Sequence, residues 1–439
     1  MKFTENEVIQ FVNENDIKFV KLAFCDIFGT MKNISILSDE LPRAFENGIS
    51  FDASSIKGFM NIEESDLFLF PDPSTLSILP WRPQQGRVVR LLCYINHPDG
   101  RPFEGDGRLI LKKAIDAARK SGYKIEIGPE CEFYLFLQDE KGYPTKVPHD
   151  YATYLDAAPV DKGENVRREI CLTLEQMGIL PESSHHEQGP GQNEIDFKYS
   201  DAMIAADSLI TFKSVVRTIA NINGLHASFM PKPLKEFSGS GLHINISLLK
   251  NNINLFDNQL FSHTPESDSF IAGILDKIPQ ITLFLNPLIN SYERFGSHSA
   301  PKYVTWSSEN RSQLIRIPAA NGKYSRIELR SPDPSCNPYL AFALLIYAGL
   351  DGIKNKYELD SPADYDLYKA EDSVVKNYKK LPATLAEAIE NAEKSDFACN
   401  CLQSGIVEKY IQFKKEQWNQ YLSSDDKESF EFNTYFYTV

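Results

Sequence analysis

Between Tyr123 and Leu137 the chain alternates in a way that only a β-strand can use. Ile125, Ile127, Cys131, Phe133 and Leu135 fall on one face, and Glu126, Glu130 and Glu132 fall on the other. Any fold of this chain must bury the first face and offer the second something that tolerates carboxylates. Carboxylates on alternate positions lie roughly 7 Å apart and repel by about 2 kcal/mol per pair at an effective dielectric of about 20. Such a face needs cations.

Two other stretches repeat the pattern. His243, Asn245 and Ser247 oppose Leu242, Ile244, Ile246 and Leu248, while Arg326, Glu328 and Arg330 oppose Ile327 and Leu329. A fourth segment runs from His185-His186-Glu187 through Gly189-Pro190-Gly191 to Asn193-Glu194-Ile195-Asp196, with acidic residues at both ends of a Gly/Pro loop. Adjacent strand positions face opposite ways, so at most one of His185 and His186 points into any one site. A solvated antiparallel face usually mixes Lys, Thr and Ser, whereas these carry Glu, His, Asn and Arg. Oxygen-rich donor sets with a single imidazole suit Mg2+ or Mn2+ better than zinc, and hard divalent cations point toward phosphates. Arg311, Arg316, Arg326 and Arg330 lie close together in the chain, and guanidinium forks suit carboxylate and phosphate. Internal pairing with Glu309 or Glu328 is the competing reading. Neither a GxxxxGK[ST] loop nor a dinucleotide fingerprint is present, Gly239-Ser240-Gly241 being too short and too late for the latter.

With 439 residues, the chain is long enough for at least two domains at roughly 100 to 200 residues each. The first hundred residues read as β-rich. A short helix from Glu5 to Asn13 precedes alternation from Ile17 to Phe28, a Gly29 turn, a strand from Asn33 to Leu37 and an apolar strand from Arg87 to Ile95. The Gly/Pro-rich stretch 97–107 marks a boundary, and a helix from Leu109 to Lys120 follows, ended by Gly122. Farther on, Thr384 with Glu387 reads as a capping box for a helix to about Lys394, and Val407 to Tyr421 as another helix. With 46 Lys and Arg against 60 Asp and Glu the net charge is -14, which excludes nucleic acid as the main partner. Seven scattered cysteines without a CxxC pair fit reduced thiols, and Cys399 and Cys401 read as structural thiols ahead of a CxC metal pair. The start MKFTENEVIQ is unlike a signal peptide, and the longest apolar run, Tyr339 to Leu350, is too short to span a bilayer, so no membrane contact and a cytoplasmic location are expected.

From end to end the chain resembles class I bacterial glutamine synthetases of the shorter form. The likeness rests on Phe51-Asp-Ala-Ser-Ser-Ile-Lys-Gly-Phe59 with Glu63-Glu-Ser-Asp66, Gly128-Pro-Glu-Cys-Glu-Phe133, and Glu187 through Gly191-Gln-Asn-Glu194. It continues in Phe229-Met-Pro-Lys-Pro233, Gly239-Ser-Gly-Leu-His243, Asn310-Arg-Ser312, Ile315-Arg-Ile-Pro318, Arg326-Ile-Glu-Leu-Arg330, Pro332-Asp-Pro334 and Asn337-Pro-Tyr339. The resemblance implies an α+β fold with a β-grasp-like domain over 1–102. A catalytic domain of the ATP-guanido-kinase/glutamine synthetase type would follow over 103–439, an antiparallel sheet flanked by helices.

The implied reaction is ATP-dependent ligation of ammonia to the side-chain carboxylate of L-glutamate through γ-glutamyl phosphate, with two or three Mg2+ or Mn2+ ions per site and ATP as co-substrate. By the same likeness Glu132, Glu187 and Glu194 would hold one ion, and Glu130, His243 and Glu328 a second. Gly239, Arg294 and Arg330 would bind glutamate, and Asn245, Ser247, Arg311, Arg316, Lys323 and Arg326 would serve ATP. Asp52, Ser55, Tyr154 and Glu187 would form the ammonium pocket, with Asp52 as base, supplied by a neighbouring subunit in a dodecamer of two hexameric rings. Asp52, Arg311 and Glu187 are the implied catalytic residues.

The chain departs from the family pattern in three places. Ser299 stands where a flap Glu belongs in the shortened stretch Arg294 to Pro301, with His298 beside it. Ser238 replaces an Asn before the Gly-Ser-Gly turn, and Asn61 replaces an Arg. The missing flap carboxylate motivates an alternative, a glutamate–amine ligase taking a mono- or polyamine. A non-catalytic oligomeric scaffold or regulator is a third reading.

Overall fold

Strand β1 (Ile17–Cys25) turns back onto β2 (Met31–Leu37) through Gly29, whose φ of +87° and close approach to the Asn337 main chain, 3.0 Å from where a Cβ would lie, leave no room for a side chain. Asp26 closes the turn by accepting from the amides of Phe28 and Thr30 at 3.0 and 2.9 Å. This computed structural model describes residues 3–60, 62, 65–82, 86–257, 264–297 and 300–439. Strands β3 (Ile49–Asp52), β4 (Asp66–Pro71), β5 (Ser77–Ile78) and β6 (Arg87–Asn96) complete the first sheet in the order β2-β1-β6-β4-β3, with β5 beside β6. Only β1 and β6 run parallel. Helices α1 (Glu5–Glu14) and α2 (Leu41–Asn47) pack on it, and Val20, Leu22, Leu69, Val89, Leu91 and Cys93 are fully buried. This is the expected β-grasp-like unit.

The second sheet is built around β7 (Tyr123–Gln138), whose apolar face is buried as its alternation requires. It pairs with β8 (Pro144–Pro148), β10 (Gln192–Phe197), β11 (Ser200–Asp201), β12 (Leu225–Ser228) and β13 (Leu242–Lys250), while β9 (Pro181–His186) lies beyond β10. On the other side β14 (Ile253–Asn254), β15 (Trp306–Ser308), β16 (Ile315–Ile317) and β17 (Ile327–Leu329) extend it, in the order β15-β16-β17-β13-β7-β10-β9 along the main path. All these pairings are antiparallel except β15 with β16. Helices α3 (Gly107–Lys120), α4 (Glu164–Gln176), α5 (Ala202–Ile222), α6 (Pro265–Leu285) and α7 (Pro338–Asn355) flank it. Phe133 meets Phe212 of α5 edge to face at 6.0 Å, so the side of β7 opposite its carboxylates is the core. The apolar run in α7 is a buried core helix, and among the described residues no helix is long and apolar enough to cross a membrane. All seven cysteines are free, and among the described residues none belongs to a metal-binding group.

Candidate active site

Register builds the site. Pairing of β10 with β7 sets Glu194 across from Glu132 and Asp196 across from Glu130, and β9 adds His185 opposite Glu194 and Ser183 opposite Asp196. On the other flank β13 sets His243 opposite Glu130 and Asn245 opposite Gly128, β17 sets Glu328 opposite Asn245, and β16 sets Arg316 opposite Glu328. Cross-strand partners share a face, so three adjacent rows of polar side chains cover one side of the sheet.

That side floors a cleft of two adjoining chambers. The larger, about 460 Å3, is lined by Glu130, Glu132, Tyr154, His185, Glu187, Gln188, Glu194, Asp196, Ser238, Gly239, His243, Arg311, Arg316, Arg326 and Arg330. The smaller, about 220 Å3, has Gly128, Glu182, Ser183, Tyr199, Asn245, Ser247 and Tyr324 on its walls and shares Glu130, Asp196 and Arg326 with the first. Ligand atoms of Glu130, Glu194 and His243 lie within 4.8 Å of one another, as do those of His185, Glu187 and Glu194.

Supporting bonds fix these side chains. Glu132 accepts from the Gly241 amide and from Gln192 Nε2, both at 2.9 Å. Gly239 leaves no space for a side chain, since a Cβ there would lie 2.5 Å from the Pro231 carbonyl. Glu328 accepts from Arg316 Nε at 2.8 Å and from Arg330, and Arg326 Nε donates to Asn245 Oδ1 at 2.9 Å. The buried His186 faces away from His185, with Nε2 on Asp150 at 2.9 Å and Nδ1 on the Glu187 carbonyl at 2.7 Å. Asp161 in turn pairs with Arg167, which also donates to Asn193 Oδ1 at 2.6 Å. The Asp150, Asp161 and His186 group is thus spent on holding the Glu187 to Asn193 loop.

The electrostatics fit a cation site. Burial, then the charge of Glu187, pushes the Glu132 carboxyl up to about 8, and burial with Glu132 and Asp196 nearby pushes Glu194 well up. Burial and the charge of Arg330 hold His243 below its ordinary value, which leaves a neutral imidazole able to bind metal. Burial works upward on Glu328, but the charges of Arg330 and Arg316 beside it lower the group. Carboxyls pushed toward their neutral form by burial and by one another favour a cation beside them, and oxygen donors with one imidazole match a hard divalent ion.

The glutamine synthetase catalytic-domain profile matches residues 104–435, and the glutamine synthetase beta-Grasp profile matches residues 16–98. The chain belongs to the glutamine synthetase family. Curated glutamine synthetases from Clostridium saccharobutylicum and Methanosarcina mazei are 47% and 46% identical to it, over 96% and 95% of both chains. A solved Plasmodium falciparum glutamine synthetase superposes with a TM-score of 0.86 at 26% identity, covering 99% of each chain. A GmaS/ADP complex does so with 0.86 at 28% identity, covering 97% of this chain and 98% of its own.

Seen as a glutamine synthetase, the chain brings most of the expected residues to one cleft but not all. Asp52 and Ser55 are absent from the walls of both chambers; Asp52 lies exposed on the N-terminal domain, accepting from Ser54 and Ser55 hydroxyls at 2.6 and 2.8 Å. Arg294 sits beneath the floor, 3% exposed, donating to the Ser331, Pro332 and Arg330 carbonyls at 2.7, 3.1 and 3.0 Å. Lys323 is exposed, its ammonium 4.9 Å from the Tyr324 ring. Ser238 lines the larger chamber, its hydroxyl donating to Gln188 at 3.3 Å. Ser299, His298 and Asn61 lie outside the described residues. Asp196 and His185, both in the Gly/Pro segment singled out from the sequence, and Tyr199 and Tyr324 line the chambers without belonging to the residue sets that the resemblance implies. The alternation of Asp196 with Glu194 was the available signal for the first, whereas nothing local marks the two tyrosines.

Proposed function

We propose that this chain makes glutamine. ATP phosphorylates the side-chain carboxylate of L-glutamate, and ammonia then displaces phosphate from γ-glutamyl phosphate, releasing L-glutamine, ADP and phosphate. The observation that carries this reading is a floor of converging carboxylates facing Arg311, Arg316, Arg326 and Arg330 across one cleft. Glu132, Glu187 and Glu194 would hold one divalent ion, and Glu130, His243 and Glu328 another. Mg2+ or Mn2+, two or three per site, would neutralise the carboxylates and the charge on transferring phosphate.

The nucleotide base fits the smaller chamber, beside Asn245, Ser247 and the Tyr199 and Tyr324 rings, which stand edge to face at 6.4 Å. From there Arg326, on the wall of both chambers, leads the phosphates toward Arg316 and Arg311, whose preorganised charge favours the phosphoryl transition state; Lys323 completes the cationic rim. Arg330 and the Gly239 main chain receive glutamate, with Arg294 bracing the floor under them.

Tyr154 and Glu187 form half of an ammonium pocket, and Asp52 with Ser55 of a neighbouring copy forms the rest, Asp52 taking the proton that frees the amine lone pair. The exposure of Asp52, away from its own cleft, supports such shared sites, in a cytoplasmic dodecamer of two hexameric rings. The test is phosphate release from Mg·ATP and glutamate with ammonium or with a panel of mono- and polyamines. Preference for ammonium is expected; preference for an amine would move the chain to the glutamate–amine ligases, and no release with any acceptor would refute turnover.

A further inference from the structure

A cavity of about 520 Å3 lies outside the cleft, where the first domain meets the second. Arg90, Leu92 and Tyr94 of β6 enter it from the positions that alternate with the fully buried Val89, Leu91 and Cys93, and α3 and α5 form the opposite wall. Arg90 is 7% exposed, and its buried Nε has no hydrogen-bond partner. Arg108 is 3% exposed and places Nε and Nη2 on Asp207 and Nη2 on Asp72, but its Nη1 is likewise buried without a partner.

The carboxylates on the walls are already engaged. Asp72 and Asp207 lie on Arg108 at 3.1 and 2.9 Å, and Asp116 and Asp201 on Arg119 at 3.7 and 3.4 Å. Arg90 and Lys112 therefore have no carboxylate within ion-pair distance among the described residues, and the Lys112 ammonium rests 5.5 Å from the Tyr94 ring. A guanidinium removed from water with idle N–H groups is strongly disfavoured unless an acceptor completes it. Here two such groups face a space of ligand size, and a fork of parallel N–H donors matches two oxygens on one atom.

The geometry points to a second binding site, in which Arg90 and Arg108 hold a small oxyanion, a carboxylate or a phosphate, between the two domains. The occupant clamps the β6 face of the first domain to α3 and α5 of the second. Since the first domain carries Asp52, occupancy tunes turnover; that consequence alone rests on the proposed glutamine synthesis, and the binding does not.

Inorganic phosphate and succinate are the probes, titrated calorimetrically into the full-length protein with Mg·ADP saturating the cleft. Saturable binding is expected from at least one probe, and the one that responds identifies the class of oxyanion. Arg90→Gln should weaken it at least tenfold, and Ser208→Tyr, which fills the cavity from α5 without touching the buried charges, should do the same. Arg311→Gln, altered only in the cleft, should retain it. No saturable binding of either probe would overturn the site, as would binding unchanged in a folded Arg90→Gln or Ser208→Tyr protein. If Arg90→Gln does not fold, Ser208→Tyr decides the matter.

Discussion

Glu328 is fully buried between Arg316 and Arg330, so its removal acts twice. Glu328→Ala removes the carboxylate that both guanidinium groups share, and breaking a buried pair of this kind costs about 3–5 kcal/mol. It also removes a carboxylate that the proposed second ion would use, although Glu328 lines neither chamber, and we expect at least ~100-fold loss of turnover. Thermal melts and phosphate release read the two effects separately, and an unimpaired rate would remove Glu328 from the metal site.

The neighbouring Glu132 gives a pH signature. Its proton is released only near about 8 in the folded metal-free protein against 4.5 ordinarily, so between those values the folded chain binds more protons than the unfolded one. Stability of the metal-free protein should therefore fall as pH rises through that window. Saturating Mg2+ should displace the proton and flatten the slope; a metal-free melting temperature that does not fall over this range would contradict the assignment. These residues could be found in advance because each is the polar member of an alternating strand. Tyr199 and Tyr324 could not, since they reach the smaller chamber from a strand end and a 3-10 turn brought together by pairing distant in sequence.

At the scale of elements, the interior of each was easier to read than its ends. The helix expected from Leu109 begins at Gly107, because Asp106, part of a stretch that reads as a hinge, accepts from the Arg108 amide at 2.9 Å and from the Ile95 amide at 3.1 Å. The alternation from Arg326 to Arg330 is a strand only over Ile327–Leu329, and the arginines that flank it both line the larger chamber. In the capping box, Thr384 does accept from the Glu387 amide at 3.2 Å, while the Glu387 carboxylate reaches the Ala383 amide at 2.8 Å, one residue earlier than the usual pattern.

The helix Ser404–Ser423 carries a less visible feature. Its Lys414 is 3% exposed with its ammonium 5.4, 5.5 and 5.7 Å from the Phe28, Tyr410 and Phe413 rings, and burial holds it down to about 7. At and below pH 7 the folded protein bears this buried charge at full cost, while between about 7 and 10.5 the unfolded chain binds the extra proton, so stability rises with pH. Lys414→Met should then stabilise the protein by about 1 kcal/mol or more at pH 7, with a gain that shrinks toward pH 10. Denaturant melts at the two pH values check this, and a gain independent of pH would show that packing alone is responsible.

For the whole molecule, what matters is that the two halves of the proposed ammonium pocket lie apart within one chain. Asp52 and Ser55 are displayed on the first domain, while Tyr154 and Glu187 face the cleft in the second. The proposed head-to-tail ring would solve this by seating each first domain against the next subunit's cleft, since a heterologous contact of that kind closes only in an oligomer. Two crippled chains should then rescue each other. Asp52→Ala subunits keep an intact cleft, Glu328→Gln subunits keep an intact first domain, and mixing them at random in equal amounts pairs an intact half with an intact half at about one quarter of the sites. Each variant alone should be nearly inactive, whereas the two unfolded and refolded together should recover about that fraction of wild-type glutamine formation. If Asp52 instead served its own chain's cleft, every site in the mixture would carry one lesion, and co-refolding would restore nothing.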